Sequence, residues 1–169
     1  MPEFIQRVAA SGRSAVSVWG AITFQGLGPL VRIEGRFNAD SYCSILDDVL
    51  LPYLVGGPFP DNEFILQHDN SPFHKARKVG VYLDDRDVAV LDWPPQSPDV
   101  NVIESVWGRM KFSMASQQLH VLSADALWTV VEEEWGRLSA NTTFCRSLYS
   151  SMPSRMRAII DAGGEATRY

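Results

Sequence analysis

The chain has 169 residues, of which 46% are hydrophobic and 21% are charged. This length is typical of one folded domain, and the composition excludes a disordered tail. Only two cysteines are present, Cys43 and Cys145, which excludes a disulfide-rich scaffold and a four-cysteine zinc site. There is no run of 18 apolar residues and no apolar signal core at the N-terminus. We therefore expect an intracellular protein that makes no use of a membrane.

The balance of charge is acidic, with a formal net charge of −5. A domain that binds nucleic acid by charge alone is usually basic, so this balance argues against strong, independent binding to DNA. Twelve of the 15 cationic residues are arginine, the side chain that best binds phosphate with two hydrogen bonds. An arginine-rich genome produces the same excess of arginine over lysine. We therefore give this excess little weight as evidence of phosphate binding.

The first third of the chain predicts a hairpin followed by a helix. Residues 1–14 are polar and contain a glycine, so we expect a loose lead-in. Val16–Thr23 is β-branched and aromatic, and glycine-rich turn residues separate it from a second strand at Leu30–Ile33. Asn38 is a predicted helix cap, and apolar residues at helical spacing predict a helix over Asp40–Leu54.

Short strands and helices alternate in the middle of the chain. Phe64–Asp69 is an apolar run that ends abruptly in polar residues, which is typical of a buried strand whose end opens on a site. We expect a helix over His74–Asp84 and a strand over Val88–Leu91. Trp93–Pro98 is too rich in proline for regular structure.

The last 70 residues have a helical period. One apolar stripe consists of Val100, Ile103, Trp107, Met110 and Met114. Further helices are predicted over Asp125–Leu138 and over Thr142–Ile160, with a break at Pro153. The whole order predicts a single α/β domain with a mixed sheet, in which residues 15–108 carry the sheet and the acidic motifs and residues 109–169 form a helical flank.

Two acidic residues have positions that suit chemistry. Asp69 ends the predicted strand, and functional groups gather beyond the carboxyl ends of strands in open α/β sheets. Glu104 lies one turn into the next predicted helix, at the border of the apolar stripe. Each acid also has a purely structural interpretation. Asp69 suits a turn, and Asn101 with Glu104 matches a capping box.

Two histidines, His68 and His74, lie close to Asp69 in the sequence and invite a metal interpretation. A closed zinc site needs four ligands, usually cysteine or histidine at tight spacing. That set is incomplete in this sequence, so we do not predict zinc.

Two motifs resemble the Tc/mariner DDE transposases. Leu66–His74 is similar to that family's "QDNxPxH" strand end, and Trp93–Gly108 is similar to its "WPPxSPDLNPIExLWG" segment. Thirty-four residues separate Asp69 from Glu104, a spacing typical of the family's second and third catalytic acids. The resemblance continues through Val18–Ile22, Gly35–Asn38 and Ser151–Arg155.

The resemblance implies a ribonuclease-H-like fold and DNA strand cleavage and transfer by two-metal phosphoryl transfer. It implies Mg²⁺ or Mn²⁺ as cofactor, because hard cations prefer oxygen ligands. Asp69 and Glu104 would be both catalytic residues and metal ligands, and Asn70 and His74 would shape the site or contact nucleic acid. It also implies DNA as partner and the nucleus as location.

Three departures from the family pattern bear on function. No aspartate precedes Asp40, whereas the family's first catalytic acid lies on the first, central strand of the fold. The family's N-terminal helix-turn-helix region is also absent, and Val102 stands where the family has proline. We therefore expect an N-terminally truncated core without the first central strand, for which residues 1–14 look too polar to substitute well.

Three functions follow from these observations. The first is a transposase-derived DDE domain with impaired catalysis. The second is a non-catalytic module that associates with itself or with full-length transposase, because a missing strand leaves unpaired strand edges. The third is an unrelated hydrolase that uses Asp69 and Glu104 as an acid/base pair.

Overall fold

The fold is built on an antiparallel sheet of three strands. The computed structural model describes residues 6–9, 15–92, 98–117 and 123–163. The strands are β1 (Gln6–Ala9), β2 (Ala15–Thr23) and β3 (Gly26–Ile33), with β2 in the middle. β1 covers only the first part of β2, because its pairing begins with Ala9 opposite Ala15 and ends with Gln6 opposite Val18.

A second, smaller sheet consists of two parallel strands, β4 (Ile65–Leu66) and β5 (Ala89–Val90). An apolar groove lies between the second half of β2 and the segment around β4. Within the described ranges no strand joins the two sheets.

One long helical segment follows β3. It begins as α1 (Ala39–Ile45), widens into a π-helical turn at Leu46–Leu50 and continues as α2 (Leu51–Gly56). The predicted cap is confirmed, since the Asn38 side chain accepts a hydrogen bond from the Ser41 amide. The wide turn was not predicted. It precedes Pro52, which has no N–H to continue the regular helical hydrogen bonds.

The remaining helices follow the predicted order closely. A short 3₁₀ turn over Pro98–Val100 leads into the helix with the apolar stripe. The helices are α3 (Arg77–Asp84), α4 (Val102–Ser116), α5 (Ala124–Ser139), α6 (Thr142–Ser150) and α7 (Met152–Asp161). The break near Pro153 and all five residues of the stripe are confirmed, the latter as buried side chains. In the parts of the chain that the structure covers, no helix has the length and apolarity needed to cross a membrane.

Helices cover both faces of β2. Its Val18 belongs to a hydrophobic cluster formed with α4, α5 and α6, in which Trp107 stacks on Trp135. The neighbouring Trp19 points to the opposite face and belongs to a second cluster, formed with the helices between Ala39 and Asp84. Successive side chains of a strand point to opposite faces, so this one strand joins the two halves of the core.

Two predictions were wrong in detail. Residues 1–14 are not wholly a loose lead-in, because Gln6–Ala9 forms β1. An edge strand tolerates polar residues such as Gln6 and Arg7, which is why a polarity argument missed it. The third helix begins at Arg77 and not at His74, because the residues before it form a turn in which His74 is buried.

A substitution at Gly20 tests how tightly the core is packed around β2. A Cβ atom at this position would lie 2.8 Å from Cη2 of both Trp107 and Trp135. We expect Gly20→Ala to lower the free energy of unfolding by about 1–3 kcal/mol, because the two rings are buried and cannot move aside freely. Urea denaturation measures the change.

Gly80→Ala is the matched control. Gly80 lies inside α3 with no atom within 4 Å of its added Cβ. Alanine should raise stability there by up to about 1 kcal/mol, because it is the better helix former. A Gly20→Ala variant as stable as the unmodified chain would contradict the described packing.

Candidate active site beyond strand β4

Asp69 lies three residues beyond the end of β4, and only 5% of its surface is exposed. Its Oδ1 accepts a hydrogen bond of 2.8 Å from the Ser71 amide. A side chain that bonds the backbone two residues later forms an Asx turn, so the structural interpretation of Asp69 is correct. The turn uses only Oδ1 of the carboxylate, and the surroundings of the second oxygen, Oδ2, say more about ligand binding.

His74 holds the same carboxylate from the other side. Its Nδ1 lies 2.8 Å from Asp69 Oδ1 and 3.3 Å from the Asp69 carbonyl oxygen. Both oxygens are acceptors, so Nδ1 carries the proton and donates. Since His74 is itself only 3% exposed, its ring cannot move away easily. Asp69 Oδ1 is thereby fixed by two donors.

The other oxygen, Asp69 Oδ2, is buried and has no hydrogen-bond partner in the described part of the chain. Burial alone would raise the pKa of Asp69, but the hydrogen bonds from His74 and Ser71 outweigh it and the pKa is lowered. The carboxylate is therefore ionised at neutral pH. A buried carboxylate oxygen without a partner is a strong indication of an external ligand, and a cation suits its charge.

An aromatic cluster supports this corner. The rings of His68 and His74 stack, with centroids 4.5 Å apart, and Tyr42 Oη lies 2.9 Å from His68 Nδ1. Burial and the neighbouring His74 lower the pKa of His68 to about 4, whereas burial raises the pKa of Tyr42. Near neutral pH, Tyr42 is therefore the donor and neutral His68 the acceptor. The two histidines thus stack on one another beside Asp69.

Glu104 lies in the first turn of α4 and is half-buried. Burial raises its pKa, Lys111 lowers it, and the negative charge of Asp69 raises it again. The two acids therefore influence one another electrostatically, although they are far apart in sequence. The capping-box interpretation is not supported, because Asn101 makes no side-chain capping hydrogen bond.

Arg155 of α7 forms hydrogen bonds with the first turn of α4 and with the 3₁₀ turn before it. Its guanidinium donates to the Asp99 carbonyl oxygen at 2.9 Å and to Ser105 Oγ at 2.9 Å, and its Nε donates to Ser151 Oγ at 2.8 Å. Arg155 is 5% exposed, so these contacts are shielded from water. Sequence reasoning did not assign this role, although Arg155 ends one of the segments that match the family.

The remaining predicted features add little to the geometry. Asn70 is half-buried beside Asp69. Most of the proline-rich loop, residues 93–97, lies outside the described residues. Among the described residues, no group of three His, Cys, Asp or Glu side chains is placed to hold a metal ion. The structure thus provides two acids that influence one another electrostatically.

His68 makes stability depend on pH. Its pKa is about 4 in the folded chain and about 6.5 in an unfolded one, so between these values the unfolded chain binds more protons. Stability is then lost as pH falls from about 6.5 to about 4, by on the order of 3 kcal/mol at about 1.4 kcal/mol per pKa unit. Urea titrations of wild type and His68→Asn should differ in this slope. A stability difference that does not change with pH would contradict the burial of His68.

The hydrogen bonds of Arg155 depend on its planar guanidinium, which presents several donors in a fixed geometry. Arg155→Lys keeps the charge but loses this geometry, so we expect unfolding free energy to fall by about 1–3 kcal/mol. Arg157→Lys, at an exposed position of the same helix, should change it by less than about 0.5 kcal/mol. Equal effects of the two variants in urea denaturation would show that α4 is not fastened in this way.

A comparison with protein families identifies a matching family. The model described as DDE superfamily endonuclease matches residues 6–127. This range includes both acids, His74 and all five strands.

Several curated transposases are similar to the chain over almost its whole length. The Tc1 transposase of Caenorhabditis elegans is 32% identical over 168 residues, which is 99% of this chain and 59% of the relative. The Tcb1 transposase of Caenorhabditis briggsae is 31% identical over the same shares. The chain therefore spans about three fifths of the length of these relatives.

Solved structures confirm the predicted fold class. The catalytic domain of the Mos1 mariner transposase matches this chain with a TM-score of 0.84 and 18% sequence identity. The match covers 97% of this chain and 81% of the Mos1 chain. The same domain has been solved with raltegravir and Mg, and with raltegravir and Mn. The fold is therefore ribonuclease-H-like, and the chain belongs to the DDE superfamily endonucleases of the Tc1/mariner transposase type.

Proposed function

We propose that this chain supplies Asp69 and Glu104 to a divalent-metal site for the cleavage and transfer of DNA strands, as part of a nuclear transposase or a protein derived from one. The observation that carries the proposal is Asp69 Oδ2, a buried, ionised and unpartnered carboxylate oxygen beyond the end of β4. The family supports the reaction class. The Mos1 structures with Mg and with Mn support the choice of metal.

Each residue of the proposed metal site has a separate role that follows from its position. Ser71 and His74 occupy Oδ1 of Asp69, so Oδ2 is the atom available to a cation. Glu104 is delivered by a helix whose start Arg155 fastens. The raised pKa of Glu104 means that a cation must compete with a proton there, so metal affinity should increase with pH. We propose that Asn70, which follows Asp69, shapes the site or contacts DNA.

Mg²⁺ or Mn²⁺, when bound, supplies activation of the attacking hydroxyl and stabilisation of the leaving oxygen of the phosphodiester. Both acids present oxygen atoms, the ligand type that these cations prefer. In this protein, Asp69 and Glu104 would hold the metal, and His74 would keep Asp69 in one rotamer. Such partners of a ligand typically change metal affinity by about 10–100-fold.

We infer that these 169 residues do not complete the reaction alone. Asp69 and Glu104 influence one another electrostatically, and the sequence contains no aspartate before Asp40 to act as the family's first acid. With only two acids, the metal ions lack one of the protein ligands that the family provides. We therefore expect DNA cleavage to be impaired. The Mos1 structures include a paired-end complex with a transposon end, which supports DNA as the partner in the complete assembly.

A non-catalytic role in association is the second candidate. The apolar groove between the two sheets favours it, because an open strand edge is a template for another strand. Such a module would pair with another copy or with full-length transposase. A size measurement by light scattering tests it, since a clean monomer at all concentrations would count against self-association.

Calorimetric titration with Mn²⁺ tests the metal site. We expect the unmodified chain to bind Mn²⁺ weakly, and Asp69→Asn to reduce the affinity at least about tenfold because Oδ2 loses its charge. Glu104→Gln should also weaken binding. Affinity should rise with pH in the unmodified chain, and this rise should be smaller in Glu104→Gln.

Asp84→Asn is the control for removal of an acid, because Asp84 is exposed at the end of α3. It should leave Mn²⁺ binding unchanged. Unaltered binding by Asp69→Asn would refute the assignment of Asp69 as a ligand. Nicking of plasmid DNA by the unmodified chain, but not by Asp69→Asn, would refute the proposed impairment while supporting the site itself.

A further inference from the structure

The chain as a whole is acidic, but the segments that follow the two acids of the site are basic. No acidic residue occurs in residues 70–83, after Asp69, or in residues 105–124, after Glu104. The first segment contains three lysine or arginine residues and the second contains two. Positive charge is therefore concentrated in the sequence just beyond each acid, whereas the acidic surplus lies elsewhere in the chain.

The turn that holds Asp69 also positions Lys75. The Lys75 amide donates to the Ser71 carbonyl oxygen at 3.1 Å, and the Ser71 amide donates to Asp69 Oδ1 at 2.8 Å. Lys75 and Arg77, the first residue of α3, are both exposed. Neither forms an ion pair among the described residues, whereas Lys78 is paired with an aspartate of α1. Two positive charges just beyond the Asp69 turn are thus available to bind an anion.

The side of α4 that carries Glu104 continues to a third cation. Residues four and seven positions after Glu104 share its side of the helix, and these are Gly108 and Lys111. No atom of the described residues lies within 4 Å of a Cβ added at Gly108, so this side of α4 is not covered there. Lys111 is exposed and forms no ion pair within the described ranges. Its charge acts to lower the pKa of Glu104, as expected for a cation on the site side of the helix.

We propose that Lys75, Arg77 and Lys111 form a basic surface that binds the phosphate backbone of the DNA strand to be cut. This inference rests on the proposed function, because DNA is the substrate proposed for the site. Two carboxylates repel a phosphodiester, so cations nearby are needed to compensate when a strand approaches. Contacts to phosphates fix the register and orientation of DNA without reading its sequence. The basic surface would thereby position one phosphodiester at Asp69 and Glu104.

The arrangement of the three cations favours a strand of DNA over a single small anion. They come from two elements, the start of α3 and the open side of α4, and all three are exposed. Side chains on separate elements suit successive phosphates, whereas a small anion is usually bound by donors that converge on one point. Three such contacts supply only weak binding, in agreement with the acidic net charge of the chain.

The salt dependence of DNA binding tests the basic surface in the full chain. Fluorescence anisotropy with a short labelled duplex, in EDTA so that no metal takes part, gives Kd between about 50 and 200 mM salt. Lys75→Gln/Arg77→Gln should raise Kd about tenfold at low salt and reduce the slope of log K against log salt by about 2, because each lost phosphate contact removes about 0.9. Lys111→Gln should reduce the slope by about 1. Lys75→Arg/Arg77→Lys keeps both charges and should keep the slope.

Arg86→Gln/Arg157→Gln is the control with the same change in net charge. Arg86 lies beyond the far end of α3 and is paired with an aspartate of the π-helical turn. Arg157 is exposed and lies two positions after Arg155, so it points away from the side of α7 that contacts α4. This variant should keep the slope of the unmodified chain. Equal slopes for the two glutamine double variants, or no DNA binding by the unmodified chain at low salt, would overturn the proposal.

Calorimetric titration with Mn²⁺ separates this inference from the proposed metal site. Lys75→Gln/Arg77→Gln should bind Mn²⁺ at least as tightly as the unmodified chain, because removal of nearby positive charge favours a cation. If Asp69→Asn weakens Mn²⁺ binding but the slopes do not differ, the basic surface is refuted and the metal site stands. If the slopes differ as expected but Asp69→Asn binds Mn²⁺ normally, the basic surface is supported and the metal site is refuted.

Discussion

The two hydrogen bonds to Asp69 Oδ1 are the constraint on which the site depends. The Ser71 amide belongs to the turn after β4, and His74 belongs to the segment before α3, so a local turn and a buried ring fix the same oxygen. Oδ2 is then presented in one direction only. Because the carboxylate is buried, its negative charge is poorly solvated and favours a cation over an empty site.

The rest of the fold positions Glu104 relative to that oxygen. Val18 and Trp19 of β2 point to opposite faces and join the clusters behind the two acids. α4 lies on one cluster, and Arg155 fastens its first turn. The Asp69 end of the site is supported from the other cluster, through Tyr42 and His68. β2 therefore contributes side chains to both of the clusters that support the site.

Periodic and capping signals were the parts of the fold that the sequence predicted well. The apolar stripe of α4 and the Asn38 cap depend on neighbours within a few residues, so local patterns suffice for them. The edge strand β1 depends on its pairing with β2, and the late start of α3 depends on the burial of His74. Both are tertiary effects that polarity and spacing do not contain.

The candidate site shows the same division. The sequence motifs predict Asp69, Glu104, Asn70 and His74 as site residues. They did not reveal that one oxygen of Asp69 is occupied and the other is free, or that Arg155 fastens the glutamate helix from 50 residues away. Such facts come from contacts between segments, for which the single sequence contains no direct signal.

Paramagnetic broadening by Mn²⁺ tests the central claim most directly, because it locates the ion on the molecule. In the ¹⁵N spectrum of the full chain, substoichiometric Mn²⁺ should first broaden the amide signals of Asn70 and Ser105, which follow the two acids. Broadening centred on the acidic run Asp84–Asp87, with Asn70 and Ser105 unaffected, would contradict a shared metal site at Asp69 and Glu104.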